Sequence, residues 1–187
     1  MYSLAHNNLQ TLMWMDDKFF EARLLHQLIN LRKLGISSAS DSIIKILSAL
    51  TPVPKTLEVL KLKFCNESSE QINLSSYPNI VKLHLDVCRR MCLNAEAFPP
   101  NLVKLTLGRF TVDCHLLAVL TKLLKLEILK MYGCSHNEER MDISGDSFLQ
   151  LEVLHIQSSH GLSEVTCKDD VSVPKIEKTI TYRYHFR

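Results

Sequence analysis

Histidine side chains are the groups in this sequence whose type and spacing could support acid–base chemistry. His84 lies two residues before Asp86, a spacing that places both side chains on one face of a strand. A general base also needs a nucleophile or another reacting group within reach, and nothing in the sequence around His84 or His155 completes such a site. We therefore interpret both histidines as solvated or partner-contacting side chains.

The cysteines do not form a metal-binding pattern either. Structural zinc sites need four ligands, commonly supplied as two closely spaced pairs. No second pair lies at ligand spacing from Cys88 and Cys92, from Cys114 and His115, or from Cys134 and His136. The motifs C-x-x-C, H-E-x-x-H and G-x-S-x-G and a glycine-rich phosphate loop are also missing from the sequence. The sequence therefore predicts no enzyme, no bound metal and no cofactor in this chain.

A sequence repeat determines the strands on which these side chains lie. The pattern L-x-x-L-x-L occurs seven times, beginning with Leu9, Leu12 and Trp14. Successive middle leucines are 22 to 26 residues apart, which lies within the range of leucine-rich repeats. These middle leucines are Leu12, Leu34, Leu60, Leu83, Leu105, Leu129 and Leu154.

The repeat predicts an α/β leucine-rich-repeat solenoid that forms one domain over residues 1–187. In each x-L-x-L-x strand the leucines point into the core and the intervening residues point out onto a concave parallel sheet. The convex side should hold short helices at 21–30, 41–50 and 116–126, and irregular loops or brief helical turns at 66–79, 87–101 and 135–149. About seven repeats should occupy residues 9–178, followed by an irregular tail at 179–187.

The two ends depart from this pattern. No polar cap precedes the first motif, and the phase of the repeats places the next core positions at Ile176, Thr179 and Thr181, a poor repeat. Apolar residues also alternate over 180–186, which could form a slipped or frayed last strand. The sequence therefore predicts a fragment of a longer solenoid.

The outward positions of the seven motifs are rich in basic residues. With Asp16 and Asp86 as their only acidic residues, these positions sum to +5 in a chain of net charge +2, which leaves −3 for the rest. Such an asymmetry can steer an acidic protein towards the face, and the alternative is that lysines only keep the exposed strands soluble. The basic residues are Lys33, Lys61, Lys63, Lys82, Lys104, Arg109 and Lys130.

We expect this face to bind protein, and its candidate residues are the seven basic residues together with His84, Tyr132 and His155. Exposed apolar anchors are expected at Met13, Phe64 and Tyr132, because aromatic and methionine side chains often dominate binding energies. Nucleic acid is not expected, since the face lacks the interleaved aromatic residues of a single-strand platform. No small-molecule substrate is expected either.

The sequence shows no targeting signal, which favours a cytoplasmic location. The first 20 residues lack the basic start, apolar run and small-residue cleavage site of a signal peptide. No stretch reaches the roughly 18 apolar residues that cross a membrane. In a reducing compartment the six cysteines should be thiols, and we expect buried thiols at the strand exits Cys65, Cys88 and Cys134.

Two segments resemble a known family. Residues 98–107, FPPNLVKLTL, resemble the F-P-P-N-L-x-x-L-x-L repeat of plant intracellular immune receptors, the nucleotide-binding, leucine-rich-repeat (NLR) disease-resistance proteins. Residues 123–134, LLKLEILKMYGC, are similar to the next repeat of that family, with Leu124 where proline is usual.

The resemblance continues towards the C-terminus. Residues 148–154, FLQLEVL, are similar to the family's F-P-Q-L-x-x-L, with Leu149 in place of proline. Residues 173–178, VPKIEK, resemble the M-P-x-L-x-x-L that follows. The resemblance covers roughly residues 9–180, and the most similar subgroup is the coiled-coil class that includes late-blight resistance proteins.

The resemblance implies a function in recognition. In that family the repeats recognise a pathogen effector or a guarded host protein, and they restrain the nucleotide-binding domain. ATP or ADP binds to that domain, so this chain itself should bind no nucleotide. The alternative is the substrate-recognition repeats of an F-box-type ubiquitin-ligase adaptor, which share the L-x-x-L-x-L-x-x-C rhythm but would need an F-box that this sequence lacks.

Overall fold

Parallel strands dominate the computed structural model of the chain, which describes residues 8–16, 28–38, 43, 46–47, 55–65, 72–87, 93–143, 148, 150–157, 160–166 and 175–179. The strands in these ranges are β1 (Thr11–Asp16), β2 (Lys33–Ser37), β3 (Val59–Phe64), β4 (Lys82–Val87), β5 (Lys104–Gly108), β6 (Thr111–Val112), β7 (Ile128–Tyr132), β8 (Ser135–His136), β9 (Arg140–Asp142), β10 (Val153–Gln157), β11 (Glu164–Thr166) and β12 (Lys175–Thr179).

One eight-stranded parallel sheet forms the concave side, in the order β1-β2-β3-β4-β5-β7-β10-β12. The middle leucines of neighbouring repeats face each other in register, as Leu60 with Leu83 and Leu83 with Leu105 show. From Leu34 to Leu154 these residues are at most 2% exposed, and burying each one contributes about 1.5–3 kcal/mol. The predicted leucine-rich-repeat solenoid is confirmed.

The first strand departs from the predicted pattern because it contains a bulge. Leu12 pairs with Leu34, but Met15, rather than Trp14, pairs with Ile36. The extra residue shifts Trp14 out of the core: its side chain is 48% exposed and its φ is 60°. The assignment of Trp14 as an inward residue of the first motif is therefore wrong.

The third strand is longer than the motif predicts, and this overturns a second expectation. Strand β3 continues through Phe64. Because side chains alternate along a strand, Phe64 lies on the same face as Leu60 and Leu62, and it is 1% exposed. The expected exposed anchor at Phe64 is a core residue instead.

The last described strand continues the sheet in a phase that the sequence analysis missed. In β12, Ile176 pairs with Leu154 and Lys178 pairs with Ile156. Ile176, rather than Thr179, therefore lies at the register position of the middle leucines, because backbone pairing to β10 sets the register here. The slipped strand expected over 180–186 lies outside the described residues.

On the convex side, the described segments that connect one concave strand to the next contain less helix and more extended chain than predicted. The helix expected at 116–126 runs from Cys114 to Leu120, and the Asp113 side chain caps it by accepting a hydrogen bond from the Leu116 amide at 2.8 Å. The predicted end is wrong because Leu126 is already the first buried position of the next motif. A 3-10 turn at Ala95–Ala97 is the brief helical turn expected within 87–101.

The other two predicted helices lie mainly outside the described residues. Residues 28–30, at the end of the first, are not helical. In the second, Ile43, Ile46 and Leu47 are helical and buried. Part of the loop predicted at 135–149 is extended, because β8 pairs with β6 and β9 pairs with β11 in two short parallel sheets.

Polar side chains join successive repeats by hydrogen bonds just before strands β3, β4 and β5. Each of these side chains lies four residues before a middle leucine. Thr56 Oγ1 donates to the Leu31 carbonyl at 2.8 Å, Asn79 Nδ2 to Lys55 at 2.7 Å, and Asn101 Nδ2 to Pro78 at 2.9 Å. These bonds satisfy backbone carbonyls that the sheet leaves unpaired.

The cysteines confirm the strand-exit prediction at one position and contradict the redox prediction at another. Cys134 is a fully buried free thiol, and it donates weakly to the carbonyls of Tyr132 and Leu107 at 3.6 and 3.7 Å. Cys65 is disulfide-bonded, so the expectation that all six cysteines are thiols is wrong. Cys88 lies outside the described residues.

Candidate functional site

The concave face presents three rows of side chains that run across the strands. The register aligns Lys33, Val59, Lys82, Lys104 and Ile128 in the first row. The second row contains Gly35, Lys61, His84, Thr106, Lys130 and His155, and the third contains Ser37, Lys63, Asp86, Gly108, Tyr132 and Gln157. With Arg109 just beyond the third row, all ten candidate residues share this face, and their role in binding stays a prediction.

An aromatic cluster occupies the end of the face next to β1. The Trp14 ring makes an edge contact with His84, with 6.4 Å between the ring centroids. Lys61 Nζ lies 5.9 Å from the centroid of the same ring, within the range of a cation–π interaction. His84 Nε2 and Tyr132 Oη are 2.8 Å apart, which links strands β1, β3, β4 and β7 through their side chains.

Tyr132 reaches His84 only because strand β5 has a glycine at the intervening position. A Cβ atom at Gly108 would overlap the Tyr132 ring, including its hydroxyl oxygen. Burial, followed by the nearby Asp86 carboxylate, raises the pKa of Tyr132 to about 12, so the phenol stays protonated at neutral pH. Tyr132 can therefore donate hydrogen bonds but does not act as a base.

Asp86 is nearly buried on the third row, and its charge is balanced by one neighbour. Its Oδ1 accepts a hydrogen bond from Arg109 Nε at 2.6 Å. Arg109 turns back over the face because its φ is 61°, a left-handed value that reverses the chain after β5. The charge of Arg109, which was predicted to contact a partner, is therefore balanced by Asp86 within the protein.

The protonation of His84 reflects competing neighbours. Burial lowers its pKa, Asp86 opposes that effect, and Lys61 adds to it, so that the pKa lies below its usual value. The Trp14 ring and the Tyr132 hydroxyl also face the imidazole. His84 is therefore neutral at physiological pH and pairs with Tyr132.

The lysines of the first and second rows repel one another. Burial lowers the pKa of Lys104, and the charges of Lys130, Lys82 and Lys61 lower it further. In the described part of the chain no carboxylate forms an ion pair with any of these four side chains. Within the described residues, the positive charges of these four lysines are therefore not neutralised by ion pairs.

The other histidine of this face shows no catalytic arrangement. His155 is half-buried and its Nδ1 atom has no hydrogen-bond partner within the described ranges. No group of three or more histidine, cysteine, aspartate or glutamate side chains in these ranges could hold a metal ion. Among the described residues, no helix is long and apolar enough to cross a membrane.

Sequence reasoning missed Trp14, the most exposed aromatic side chain of the described face. It also placed Met13 as an exposed anchor, whereas Met13 is half-buried and packs over Gly35, with its Cε atom 3.0 Å from a Cβ built there. A signal existed in the sequence: Met15 follows Trp14 and is the better core residue. Choosing it would have required a bulge, which the motif alone does not specify.

Curated proteins of Solanum lycopersicum are similar to almost all of this chain. It is 62% identical over 191 residues to the ToMV resistance protein Tm-2(GCR236) and 64% identical over 189 residues to the ToMV susceptible protein tm-2. These alignments cover 100% and 99% of the chain but only 22% of each relative, so the chain spans about a fifth of their length. No protein-family model matches the chain.

Proposed function

We propose that this chain is a protein-recognition module of a plant defence protein, and that its concave face binds another protein's surface. The similarity to proteins named for ToMV resistance supports a role in defence. The two outcomes in the names, resistance and susceptibility, accompany nearly equal identities of 62% and 64%. Overall identity to this chain therefore does not separate the two outcomes.

The observation on which the proposal rests is the position of Trp14. The Trp14 side chain is 48% exposed on this face, and its left-handed φ of 60° adds backbone strain of about 1–2 kcal/mol. Strain at an exposed aromatic residue is typical of binding sites. Tryptophan is also the residue type most enriched among side chains that dominate binding free energy.

The remaining face fits a partner with acidic groups. Lys61 lies on β3 beside Trp14, and Lys63 follows it on the same strand. Lys82, Lys104 and Lys130 extend the positive field along the sheet. Candidate partners are a pathogen effector, a guarded host protein, or the nucleotide-binding domain of the same receptor, in which case binding would restrain that domain. We also propose a cytoplasmic location, as the resemblance implies.

Co-precipitation from leaf tissue with a separately expressed nucleotide-binding domain of a related receptor tests this function. Changing Trp14 to alanine should weaken capture by about 30-fold, which corresponds to the loss of about 2 kcal/mol at a dominant contact. The matched control is Leu124→Ala, because Leu124 is a 69% exposed apolar residue on a turn outside the concave face. Equal losses from the two changes would contradict the proposal.

Charge reversal separates the aromatic contact from the lysines. Replacing Lys61, Lys82, Lys104 and Lys130 together with glutamate should abolish capture if an acidic surface docks on these rows. If capture survives the four reversals but not Trp14→Ala, the partner contacts the β1 end of the face only.

A further inference from the structure

A cavity of about 340 Å³ opens on the concave face among the first two rows. Its lining includes His84 and five lysines, Lys33, Lys61, Lys82, Lys104 and Lys130. None of these lysines has an ion-pair partner among the described residues, and Asp86, a carboxylate of the same face, is bound to Arg109. Five positive charges thus surround one small volume, and no carboxylate of the described residues forms an ion pair with them.

The register shows how closely the five charges are grouped. Lys82 and Lys104 are neighbours on adjacent strands, and Lys61 and Lys130 lie three strand intervals apart, about 14 Å at the usual strand spacing. The two rows are separated by two residues along each strand, about 7 Å. Lysine side chains are long enough to point several ammonium groups at one bound anion across such an area.

We propose that this cavity is a binding site for a compact small molecule that bears several phosphate groups. A phosphomonoester has a charge of about −1.5 to −2 at neutral pH, so three phosphates would balance five lysines within the cavity. Lysine binds phosphate as a point charge, and it needs no planar, bidentate arrangement to do so. The proposal goes beyond protein recognition, because it assigns a small ligand to the face.

An acidic peptide fits the cavity less well. In an extended peptide, side chains on the same side are about 7 Å apart, and each carboxylate has only one negative charge. Such a segment could place about two carboxylates within the cavity and would leave most of the lysine charge unbalanced. The density of charge, rather than its sign alone, favours the polyphosphate.

Trp14 provides a local probe, because it is the only tryptophan of the chain and its ring contacts Lys61 and His84. Titration of the chain with inorganic tripolyphosphate at about 0.15 M salt should change the Trp14 fluorescence and saturate at one equivalent. Calorimetry of the same titration gives the stoichiometry independently. Inorganic phosphate and a hexaglutamate peptide are the comparison ligands, and both should bind at least tenfold more weakly.

Two variants on one strand provide the matched control. Lys61→Gln removes a cavity lysine, whereas Lys63→Gln removes a lysine two residues further along β3 that lies outside the cavity lining. Lys61→Gln and Lys104→Gln should each weaken tripolyphosphate binding about tenfold, and Lys63→Gln less than twofold. All three side chains are solvated to some extent, and circular dichroism verifies that each variant is folded.

Three results would overturn the proposal: equal losses from Lys61→Gln and Lys63→Gln, tighter binding of hexaglutamate than of tripolyphosphate, or no saturable binding by the folded chain. These results are independent of the test of protein recognition. Trp14→Ala can weaken capture of a protein partner while calorimetry still detects tripolyphosphate binding. Conversely, the chain can capture a protein partner and yet fail to bind tripolyphosphate.

Discussion

Strand β1 and the central strands β3, β4, β5 and β7 begin from the same L-x-x-L-x-L pattern but present different surfaces. The central strands alternate regularly, so their leucines are buried and their lysines point out. In β1 one bulge moves a tryptophan from the predicted core to the exposed face. The difference shows that the repeat determines where a strand lies, whereas local backbone geometry determines which side chain a partner meets.

The largest effect that separates the two regions should come from truncating their middle leucines. Leu105 is fully buried in β5, so Leu105→Ala should lower the free energy of unfolding by about 3 kcal/mol. Leu12 is only half-buried in β1, and Leu12→Ala should cost about 1 kcal/mol. Urea unfolding of both variants measures the difference, and equal costs would show that β1 packs as tightly as the central strands.

Two glycines provide the second comparison. Gly108 lies beneath the Tyr132 ring, whereas Gly35 lies beneath the flexible Met13 side chain. Gly108→Ala should displace the Tyr132 ring and cost about 1–3 kcal/mol. Gly35→Ala mainly meets the end of Met13, which can rotate away, and should cost less than about 1 kcal/mol. Thermal unfolding measures both costs. Loss of the Tyr132–His84 hydrogen bond should also appear as a shift in the His84 imidazole signals in NMR spectra of Gly108→Ala.

A change of pH should have a smaller effect on stability, because His84 contacts Trp14 of β1 and Tyr132 of the central strand β7. The pKa of His84 is lowered in the folded state, so its contribution to stability is present above the unfolded pKa of about 6.5 and is lost as the pH falls through the folded value. Between pH 7 and 5 the wild-type chain should therefore lose more stability than His84→Gln. Lys61, Asp86, Trp14 and Tyr132 all face the imidazole and are unchanged in both proteins. Parallel pH profiles would contradict the assigned shift.

The smallest effect on stability should come from Trp14 itself. Trp14→Asn replaces the strained residue with one that tolerates a left-handed φ, which recovers about 1 kcal/mol. It also removes the contacts with Lys61 and His84, which are worth a similar amount. Unfolding experiments should therefore detect a change below about 0.5 kcal/mol, although capture of a protein partner weakens by about 30-fold. A large loss of stability would mean that Trp14 serves the fold rather than recognition.

The sequence was sufficient to predict the sheet. Leucines at a period of two residues, repeated every 22 to 26 residues, specify strand positions and register because a slip of one residue would expose the core leucines. The lysine rows follow from the same alternation. The prediction of an NLR-type resemblance agrees with relatives named for ToMV resistance, whereas the late-blight subgroup stays a prediction.

The features of the fold that the sequence could not specify depend on pairing between neighbouring strands and on local backbone angles. Whether β3 extends to Phe64, or β12 centres on Ile176, is decided by pairing with the neighbouring strand rather than by either segment alone. The same holds for Arg109, whose direction depends on a left-handed φ after β5. The cavity also depends on side chains from five separate strands, which a linear motif does not show to be close together.

The buried Cys134 thiol can be used to measure local opening of the solenoid. Burial raises the pKa of this thiol to about 11, and only the thiolate reacts with alkylating reagents. Cys114, at the exposed start of the convex helix, is open to the reagent in the native state. Modification of Cys134 must wait until the exit of β7 opens to solvent, so the ratio of the two labelling rates measures how often the repeats around β7 separate.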